Sequence, residues 1–340
     1  HVAHAQLLAS YVSSANNAIQ SGFQAISLAQ AAKQRTLAIL VMGSTALLMV
    51  GTGQLYEAQR LTLEATQLGT LWRGFMLPEV GWPASLQANI LREWNQLDAA
   101  MDLAGEAISL CQQTASVASL AFLLYGYAVL LRICLSRGEI DAARSALQQY
   151  EQIRVSMNQP TSIYMHSLFT MVDQVRLWLA CGEMDRATQW IEELDLRERQ
   201  SNSFVHEREE VASARVHLAK NQPALALQRL ERVLHRATVG QRWGHVMEIR
   251  LLQALARQML HEELEALSAL SEAIRLAEPE GYMRSFVDEG VPMAALLSRL
   301  RERQRKAGPT PYLDTLLAAF QEQSKAQKGL PKRRRQERLP

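Results

Sequence analysis

Two columns of side chains that could bind a ligand recur at fixed positions of a repeated helical pattern. One position lies six residues before the turn of each repeat, and the other lies thirteen residues before it. The first position holds Asn89, Arg132, Arg176 and Arg215, and the second holds Trp82, Tyr125, Phe169 and Arg208. Because seven residues is nearly two helical turns, both columns would lie on one face of their helices. Guanidinium groups beside aromatic rings could bind a carboxylate, a phosphate, or the hydroxyls and ring faces of a sugar.

The same arginines have an alternative, structural interpretation. They could pair with acidic side chains nearby and hold the repeats in register, as Asp173 could with Arg176 at a spacing of three residues. The first and last strong repeats carry Leu47 and Leu255 at the polar position, so a polar patch would be confined to the middle repeats. The spacing alone leaves both the binding surface and the structural ion pairs open.

The elements that carry these columns are helix pairs that repeat about every 40 residues. Their turns share a short motif, whose strong copies are 42, 43, 44, 39 and 40 residues apart. The copies are GQLYEA (53–58), NQLDAA (95–100), GEIDAA (138–143), GEMDRA (182–187), NQPALA (221–226) and HEELEA (261–266), with a weaker copy, QSGFQA, at 20–25. Repetition at a fixed period is typical of solenoid proteins.

The turn motif itself predicts how two helices meet. Five of the six strong copies begin with Gly or Asn, which tolerate the left-handed conformation that ends a helix, so the exception, His261, predicts a different turn. Five residues later every strong copy has Ala, whose small side chain lets two helices approach closely. Apolar helical patterns surround the turns, as at 118–137 and 141–153, and strand-like alternation is absent. The sequence therefore predicts an all-α, right-handed α-solenoid of about seven TPR-like helix pairs over residues 1–278.

The repeat pattern stops at Pro279, because proline disfavours helix at the residue before it. Residues 279–324 are predicted to form a C-terminal cap, with helices at 292–306 and 312–323 and with Tyr282 and Phe286 covering the exposed end of the last repeat. A binding or catalytic loop is the alternative for the stretch 278–297. A basic linker is expected at 325–340. Its run KRRRQER (332–338) could touch DNA phosphates non-specifically, although such runs are more often solvated.

Composition and motifs argue against several other classes of protein. A net charge of +2 with 48% apolar residues does not predict a nucleic-acid or membrane surface over the whole chain. Three well-separated cysteines fit a reducing cytoplasm better than a disulfide framework. The most apolar run, at 37–50, is short and interrupted, so it predicts a buried helix and no membrane span. Because the chain begins with His1, we expect a fragment of a longer protein.

No catalytic or metal-binding residues are predicted. The histidines lie on different repeats without the spacing of metal ligands, and no G-x-S-x-G motif is present. Carboxylates such as Glu207, Glu209 and Glu210 are interpreted as a solvated face. An α-helical enzyme would need a dry pocket with convergent acid and base groups, which the sequence does not indicate.

Four segments, at 213–234, 248–258, 273–300 and 316–320, also carry a family resemblance, most specifically in LAEPEGYMRSFVDEG (276–290). In order along the chain, they resemble the helical-repeat sensor region of the large ATP-dependent LuxR-type (MalT-like) transcriptional regulators. That resemblance implies a cytoplasmic signal-sensing, effector-binding and protein-interaction domain. It also implies ATP in a separate N-terminal switch domain and DNA binding by a separate C-terminal helix-turn-helix. Since the chain has no G-x-x-x-x-G-K-[ST] loop, no cofactor is assigned to these residues.

The expected partners are a small-molecule or protein effector, and either a second copy or the switch domain of the full-length regulator. DNA would be reached only through a further domain, and no membrane partner is expected. The alternative function is a TPR-type protein-interaction scaffold with no small-molecule inducer.

Overall fold

The structure of the chain, a computed structural model, is built of α-helices joined in pairs by tight turns. It describes residues 15–71, 74–113, 117–156, 170–196, 204–304 and 310–329. Within these ranges the all-α prediction is confirmed, since a single Thr70–Met76 bridge is the one β feature. Predicted positions at 1–14, at Phe169 and in the basic run 332–338 lie outside the described residues.

The described residues form sixteen α-helices, numbered in chain order. They are α1 (Ala15–Ala31), α2 (Arg35–Thr52), α3 (Leu55–Gly69), α4 (Gly81–Glu93), α5 (Leu97–Cys111), α6 (Val117–Arg137), α7 (Ile140–Ser156) and α8 (Met171–Ala180). They continue with α9 (Met184–Leu196), α10 (Phe204–Ala219), α11 (Pro223–Val239), α12 (Trp243–Met259), α13 (Glu263–Ala277), α14 (Arg284–Val287), α15 (Gly290–Gln304) and α16 (Pro311–Gly329). Short 3-10 turns lie at Pro78–Val80 and Glu278–Glu280.

The six predicted turns are confirmed as the ends of first helices. Their leading residues all have positive φ, between 57° at Asn221 and 84° at Gly53. The prediction that the His261 turn differs is wrong, because His261 has a φ of 62° and Glu262 N–H donates to the Arg257 carbonyl. The Gly53 turn uses the same bond, from Gln54 N–H to the Met49 carbonyl, and histidine is among the residues that tolerate this conformation.

Two further left-handed turns end second helices, at Lys33 after α1 and at Gln241 after α11. Sequence reasoning missed them, because neither residue is Gly or Asn. The weaker copy at 20–25 is not a turn, since it lies inside the continuous helix α1. The described residues therefore contain six complete pairs, α2/α3 to α12/α13, preceded by α1.

The alanines of the turn motif hold each pair together as predicted. All six have no exposed area: Ala58, Ala100, Ala143, Ala187, Ala226 and Ala266. A larger side chain would push the second helix of the pair away, because interiors are close-packed. Helix α2 and residues Ser119–Arg137 of α6 are long and apolar enough to span a membrane, but most of each is buried inside the protein. The predicted buried helix at 37–50 is thus confirmed as part of α2.

The superhelix closes on itself, because its first and last complete pairs touch. Helix α2 packs against α12, and a Cβ built on Gly244 would lie 3.0 Å from the carbonyl oxygen of Val50. Ahead of them, Ala15 N–H donates to the Gly240 carbonyl at 3.4 Å. The inner faces of the first helices α2, α4, α6, α8, α10 and α12 therefore face one common central space, which is partly open to solvent.

The C-terminal segment both covers the last pair and enters that space. Helix α15 packs on α13 and α12, and α16 packs on α15 and extends to Gly329, past the predicted start of the linker at 325. Residues 278–290, which we call the strap, also reach the inner face of the superhelix, where their charged residues find partners. Tyr282 lies against Gly244 of α12 and donates to the Val50 carbonyl of α2 at 3.4 Å, and buried Phe286 packs edge-on against Tyr312 of α16.

A candidate ligand-binding cavity

A cavity of about 180 Å³ lies between the first helices and the strap. All six first helices contribute to its wall, so one ligand inside it could contact every complete pair. The lining residues are Leu47, Leu48, Val50 and Gly51 of α2; Asn89, Arg92 and Glu93 of α4; Tyr125 and Arg132 of α6; Val172, Asp173 and Arg176 of α8; Arg208 and Arg215 of α10; Gly244, His245, Met247 and Glu248 of α12; and Tyr282 and Ser285 of the strap.

Six of the eight residues predicted to bind a ligand line this cavity. They are Asn89, Tyr125, Arg132, Arg176, Arg208 and Arg215. Trp82 lies behind the wall, 1% exposed, with its ring 4.7 Å from that of Phe122 and 5.1 Å from that of Tyr125. It therefore supports the wall and does not form it. The repeat register brings the other side chains together, and their binding of a ligand stays a prediction.

Most of the arginine column is paired with acids from neighbouring repeats. Arg132 Nε donates to Asp173 at 2.6 Å, and Arg208 Nη1 donates to Glu248 at 2.8 Å. Arg215 donates to Glu248 at 3.0 Å. Asp173 thus joins α6 to α8 and does not form the predicted pair with Arg176 on its own helix. These arginines therefore form ion pairs between repeats, and their remaining N–H donors could still bind a ligand.

The strap supplies the other acids of the network. Glu289 accepts from Arg176 of α8 at 2.7 Å and from Arg215 of α10 at 2.9 Å. Asp288 accepts from Arg92 of α4 at 2.6 Å and from the Ser136 hydroxyl of α6 at 2.8 Å. Adjacent strap residues therefore tie four different repeats together.

A second group of strap contacts anchors its remaining length. Arg284, 2% exposed, donates to the Ser136 carbonyl at 2.8 Å and also pairs with Asp288. Met283 N–H donates to the Glu93 carbonyl at 2.9 Å, and Trp94 Nε1 donates to the Glu280 carbonyl at 2.9 Å. Each contact satisfies a group that would be costly to bury alone.

Sequence reasoning missed several charged residues of the site, although the repeat register could have predicted one of them. Glu248 lies thirteen residues before His261, which is the same register position as Arg208 before Asn221. Extending the register by one repeat would have found it. For Asp288 and Glu289 no comparable signal exists, because their arginine partners on the first helices lie 74 to 196 residues away.

Burial and neighbouring charges fix the protonation states around the cavity. Burial, reinforced by Arg208, lowers the pKa of His245 to about 3, so the imidazole is neutral at pH 7. Burial opposes ionisation of Glu248, but Arg208 and Arg215 outweigh it and hold the pKa of that carboxyl well below its usual range. Burial raises the pKa of Tyr125 to about 12, so the phenol keeps its proton.

The network around the cavity has an excess of positive charge. Five arginines and three carboxylates line the wall, which leaves an excess of two positive charges. Arg284, Asp288 and Glu289 of the strap reduce that excess to one. Two buried donors, Arg215 Nε and Arg284 Nε, have no hydrogen-bond partner within the described part of the chain.

The interpretation of Glu207, Glu209 and Glu210 as a solvated face is wrong. All three are buried, with 4%, 9% and 1% exposure. Helices α11 and α12 cover this side of α10 and bring Arg229 and Arg242 onto it, where Arg242 pairs with Glu207 and Arg229 donates to Glu210 at 3.4 Å. These ion pairs lock α10 to the following helices, outside the cavity wall.

Metal-ligating and nucleophilic groups are not assembled in the described ranges. No three His, Cys, Asp or Glu side chains there are placed to hold a metal ion. Burial raises the pKa of Cys111 to about 12 and that of Cys134 to about 11, so both thiols stay protonated at neutral pH.

The paired helices, the recurring small-residue contact and the inner cavity define the class of protein, an α-solenoid of TPR-like repeats. Residues 3–303 match the model of the MalT-like TPR region, and the chain belongs to that family.

Several relatives carry the same regulator name. The chain is 24% identical over 220 residues to the HTH-type transcriptional regulator MalT of Vibrio campbellii, covering 64% of this chain and 23% of that protein. It is 26% identical over 227 residues to the HTH-type transcriptional regulator MalT of Klebsiella pneumoniae, covering 63% and 23%. The chain thus spans less than a quarter of the length of these curated relatives.

Among solved structures, the TPR domain of P58(IPK) is similar at 12% sequence identity. The match covers 92% of this chain and 99% of that one, with a TM-score of 0.21.

Proposed function

We propose that this region is the signal-sensing, effector-binding part of a cytoplasmic LuxR-type transcriptional regulator, and that the effector occupies the central cavity. One observation carries the proposal: a single cavity is walled by the first helix of all six complete pairs and by the strap. A ligand there would contact every repeat at once. Ligands of other solenoids often lie on an extended surface, where each repeat can respond separately.

Effector binding would act by stabilising one arrangement of the superhelix. Since α2 touches α12 and the strap touches both, a ligand between them would favour the closed form. It can shift that equilibrium only by its difference in affinity for the closed and open forms. The outer surface would then change for its partners, which we propose to be a second copy or the nucleotide-binding switch domain of a longer regulator. DNA would be bound by another domain.

The scaffold alternative is less well supported by the inner surface. A peptide on a TPR-like solenoid would need the concave face, and here the strap already occupies it through Asp288, Glu289 and Tyr282. The remaining space of about 180 Å³ is below the roughly 300–1,000 Å³ of common ligand pockets, so it suits a compact molecule better than a peptide.

Thermal unfolding against a panel of neutral sugars, small metabolites and phosphorylated compounds tests the proposal. A ligand at about 100 times its dissociation constant should stabilise the protein by roughly 2.7 kcal/mol. Leu47→Phe would fill the cavity and abolish the stabilisation. Leu63→Phe, the same change on an outer position that is 40% exposed, is the matched control and should leave it intact.

The opposite results would count against this function. If every ligand that stabilises the protein does so equally in Leu47→Phe, the effector does not use the cavity. If the whole panel is flat while a partner protein binds the wild type, the scaffold function is favoured.

A further inference from the structure

We propose that the cavity takes a small organic anion, a carboxylate or a phosphate monoester, held by Arg176 and Arg208, and that Glu289 of the strap competes electrostatically with it. This inference rests on the proposed function, because it specifies the ligand of the same cavity. It does not depend on what the ligand does to transcription.

The first argument is the charge balance. The cavity wall has two more arginines than carboxylates, and one positive charge remains after the strap is counted. His245 does not add to it, because its imidazole is neutral. Uncompensated positive charge among largely buried side chains is unfavourable, and an anionic ligand would neutralise it where a neutral sugar could not.

The second argument is the availability of donors. Arg176 and Arg208 keep 21% and 14% of their side chains exposed, and both line the cavity. Among the described residues each forms one ion pair, through Arg176 Nη2 and Arg208 Nη1. A guanidinium has five N–H donors in a planar fork that matches the oxygens of a carboxylate or phosphate. Arg215 Nε adds a buried donor with no partner among the described residues.

The third argument concerns the rest of the ligand. The wall is apolar at Leu47, Leu48 and Val50 of α2 and at Met247 of α12, whereas three of the five lining arginines, Arg176, Arg208 and Arg215, lie on α8 and α10. One end of the space therefore suits an anionic group and the other a short hydrocarbon or compact body. The volume of about 180 Å³ again limits that body to a few carbon atoms.

Glu289 provides a direct test of the charge argument. It bonds Arg176 and Arg215, which line the cavity, while Glu289 itself is not part of the lining. Its carboxylate thus neutralises part of the charge of these arginines without itself lining the cavity. Removing that charge should strengthen the binding of an anion, whereas a purely structural role for Glu289 predicts no such gain.

The experiment compares butyrate with its neutral isostere butyramide, and adds inorganic phosphate as a second anion. Binding is measured by isothermal titration calorimetry and thermal unfolding on the full chain at constant ionic strength. Butyrate and phosphate should bind the wild type and butyramide should not. Arg208→Gln should weaken both anions by about tenfold or more, because it removes a charged hydrogen bond. Arg208→Lys, which keeps the charge, should recover part of the affinity.

Two further variants complete the test. Glu289→Gln should tighten anion binding by about tenfold, the opposite direction to Arg208→Gln. Arg186→Gln is the matched control, since that arginine is 63% exposed and pairs with Glu183 away from the cavity. It should bind both anions as the wild type does. Circular dichroism and cooperative melting establish that each variant is folded, and Arg208→Lys replaces Arg208→Gln if the latter is not.

The outcomes separate this inference from the proposed function. Equal binding of butyrate and butyramide, or anion binding unchanged in both Arg208→Gln and Glu289→Gln, overturns the inference. If a neutral compound binds and Leu47→Phe abolishes its binding while both anions fail, the cavity is an effector site but not an anion site. If Leu47→Phe leaves all binding unchanged, the proposed function fails as well.

Discussion

Asp288→Asn should be among the most destabilising single substitutions in this protein, because it removes one charge from between two buried arginines. Asp288 accepts from Arg92 at 2.6 Å and also pairs with Arg284, and the three side chains are 9%, 8% and 2% exposed. Burial opposes ionisation of Asp288, but these arginines lower its pKa, so it is charged in the folded protein. Asparagine keeps the shape and leaves two cations facing each other.

The magnitude follows from the contacts that remain. Breaking a buried ion pair by removing one partner costs about 3–5 kcal/mol. Arg92 keeps its bond to Glu93 at 2.5 Å, and Arg284 keeps its bond to the Ser136 carbonyl at 2.8 Å. We therefore expect the lower end, about 3 kcal/mol. Asp314→Asn is the matched control, because Asp314 and its partner Arg301 are 47% and 54% exposed, and the change should cost less than about 1 kcal/mol.

Urea unfolding followed by circular dichroism measures these losses, and a double variant tests their cause. In the Asp288→Asn background, Arg284→Met removes one of the two facing cations. The two losses should then be non-additive by about 1–2 kcal/mol. The indole of Trp94 donates to the Glu280 carbonyl, so the part of the tryptophan fluorescence change that Trp94→Phe abolishes shows whether the strap is released before the helices unfold. Additive losses, or an Asp288→Asn protein as stable as Asp314→Asn, would refute the charge argument.

Five other substitutions test the buried imidazole and the backbone. The native pKa of His245, about 3, lies below the ordinary value of about 6.5, so the unfolded chain binds the extra proton and stability falls as pH drops from 6.5 toward 3. His245→Asn should remove roughly 2 kcal/mol of the loss between pH 6.5 and 5, as seen in urea midpoints at each pH. Gly244→Ala should destabilise the protein by about 1–2 kcal/mol, because the added Cβ would lie 3.0 Å from a carbonyl oxygen of α2. Gly105→Ala, with nothing within 4 Å, should stabilise it by about 0.5–1 kcal/mol. Thermal melts that rank the two variants in the opposite order would contradict the contact between α2 and α12. His261→Gly should raise stability by about 1 kcal/mol, because glycine adopts a φ of 62° without strain. Gly138→Ala, at a φ of 74° and with no atom within 4 Å of the new Cβ, should lower stability by a similar amount. Equal melting temperatures for the two variants would show that the left-handed turns carry no strain.

The repeated helices could be predicted because their signals are local. Each turn needs one left-handed residue and one small residue five positions later, and both requirements fall within a single motif of six residues. The turn residues that sequence reasoning misjudged also depend on local structure. His261, Lys33 and Gln241 adopt the same conformation without being Gly or Asn, because the hydrogen bonds that end the helix impose it.

The composition of the cavity was only partly predictable. The register placed Arg132, Arg176 and Arg215 on one face, and the structure brings that face to the cavity. The acids that neutralise them depend on how far the superhelix turns and on where residues 278–290 run. Glu289 lies 74 residues from Arg215, and no pattern in the sequence predicts a contact between residues so far apart in the chain. The same limit explains why Glu207 and Glu210 were misjudged, since the helices that bury them come later in the chain.

The strap is the element through which a charge in the cavity would affect the whole superhelix. Tyr282 contacts α2, Asp288 joins α4 to α6, and Glu289 joins α8 to α10. Tyr282 also lies against Gly244 of α12, where the closure contact is made. An anion that takes over part of the role of Glu289 would weaken the bridge between two repeats without breaking those on either side. Because solenoid stability is approximately a sum of contacts between neighbouring repeats, such a local change alters the angle between two repeats first. The contact between α2 and α12 would respond in turn, because the two ends meet only while the repeats between them keep their angles.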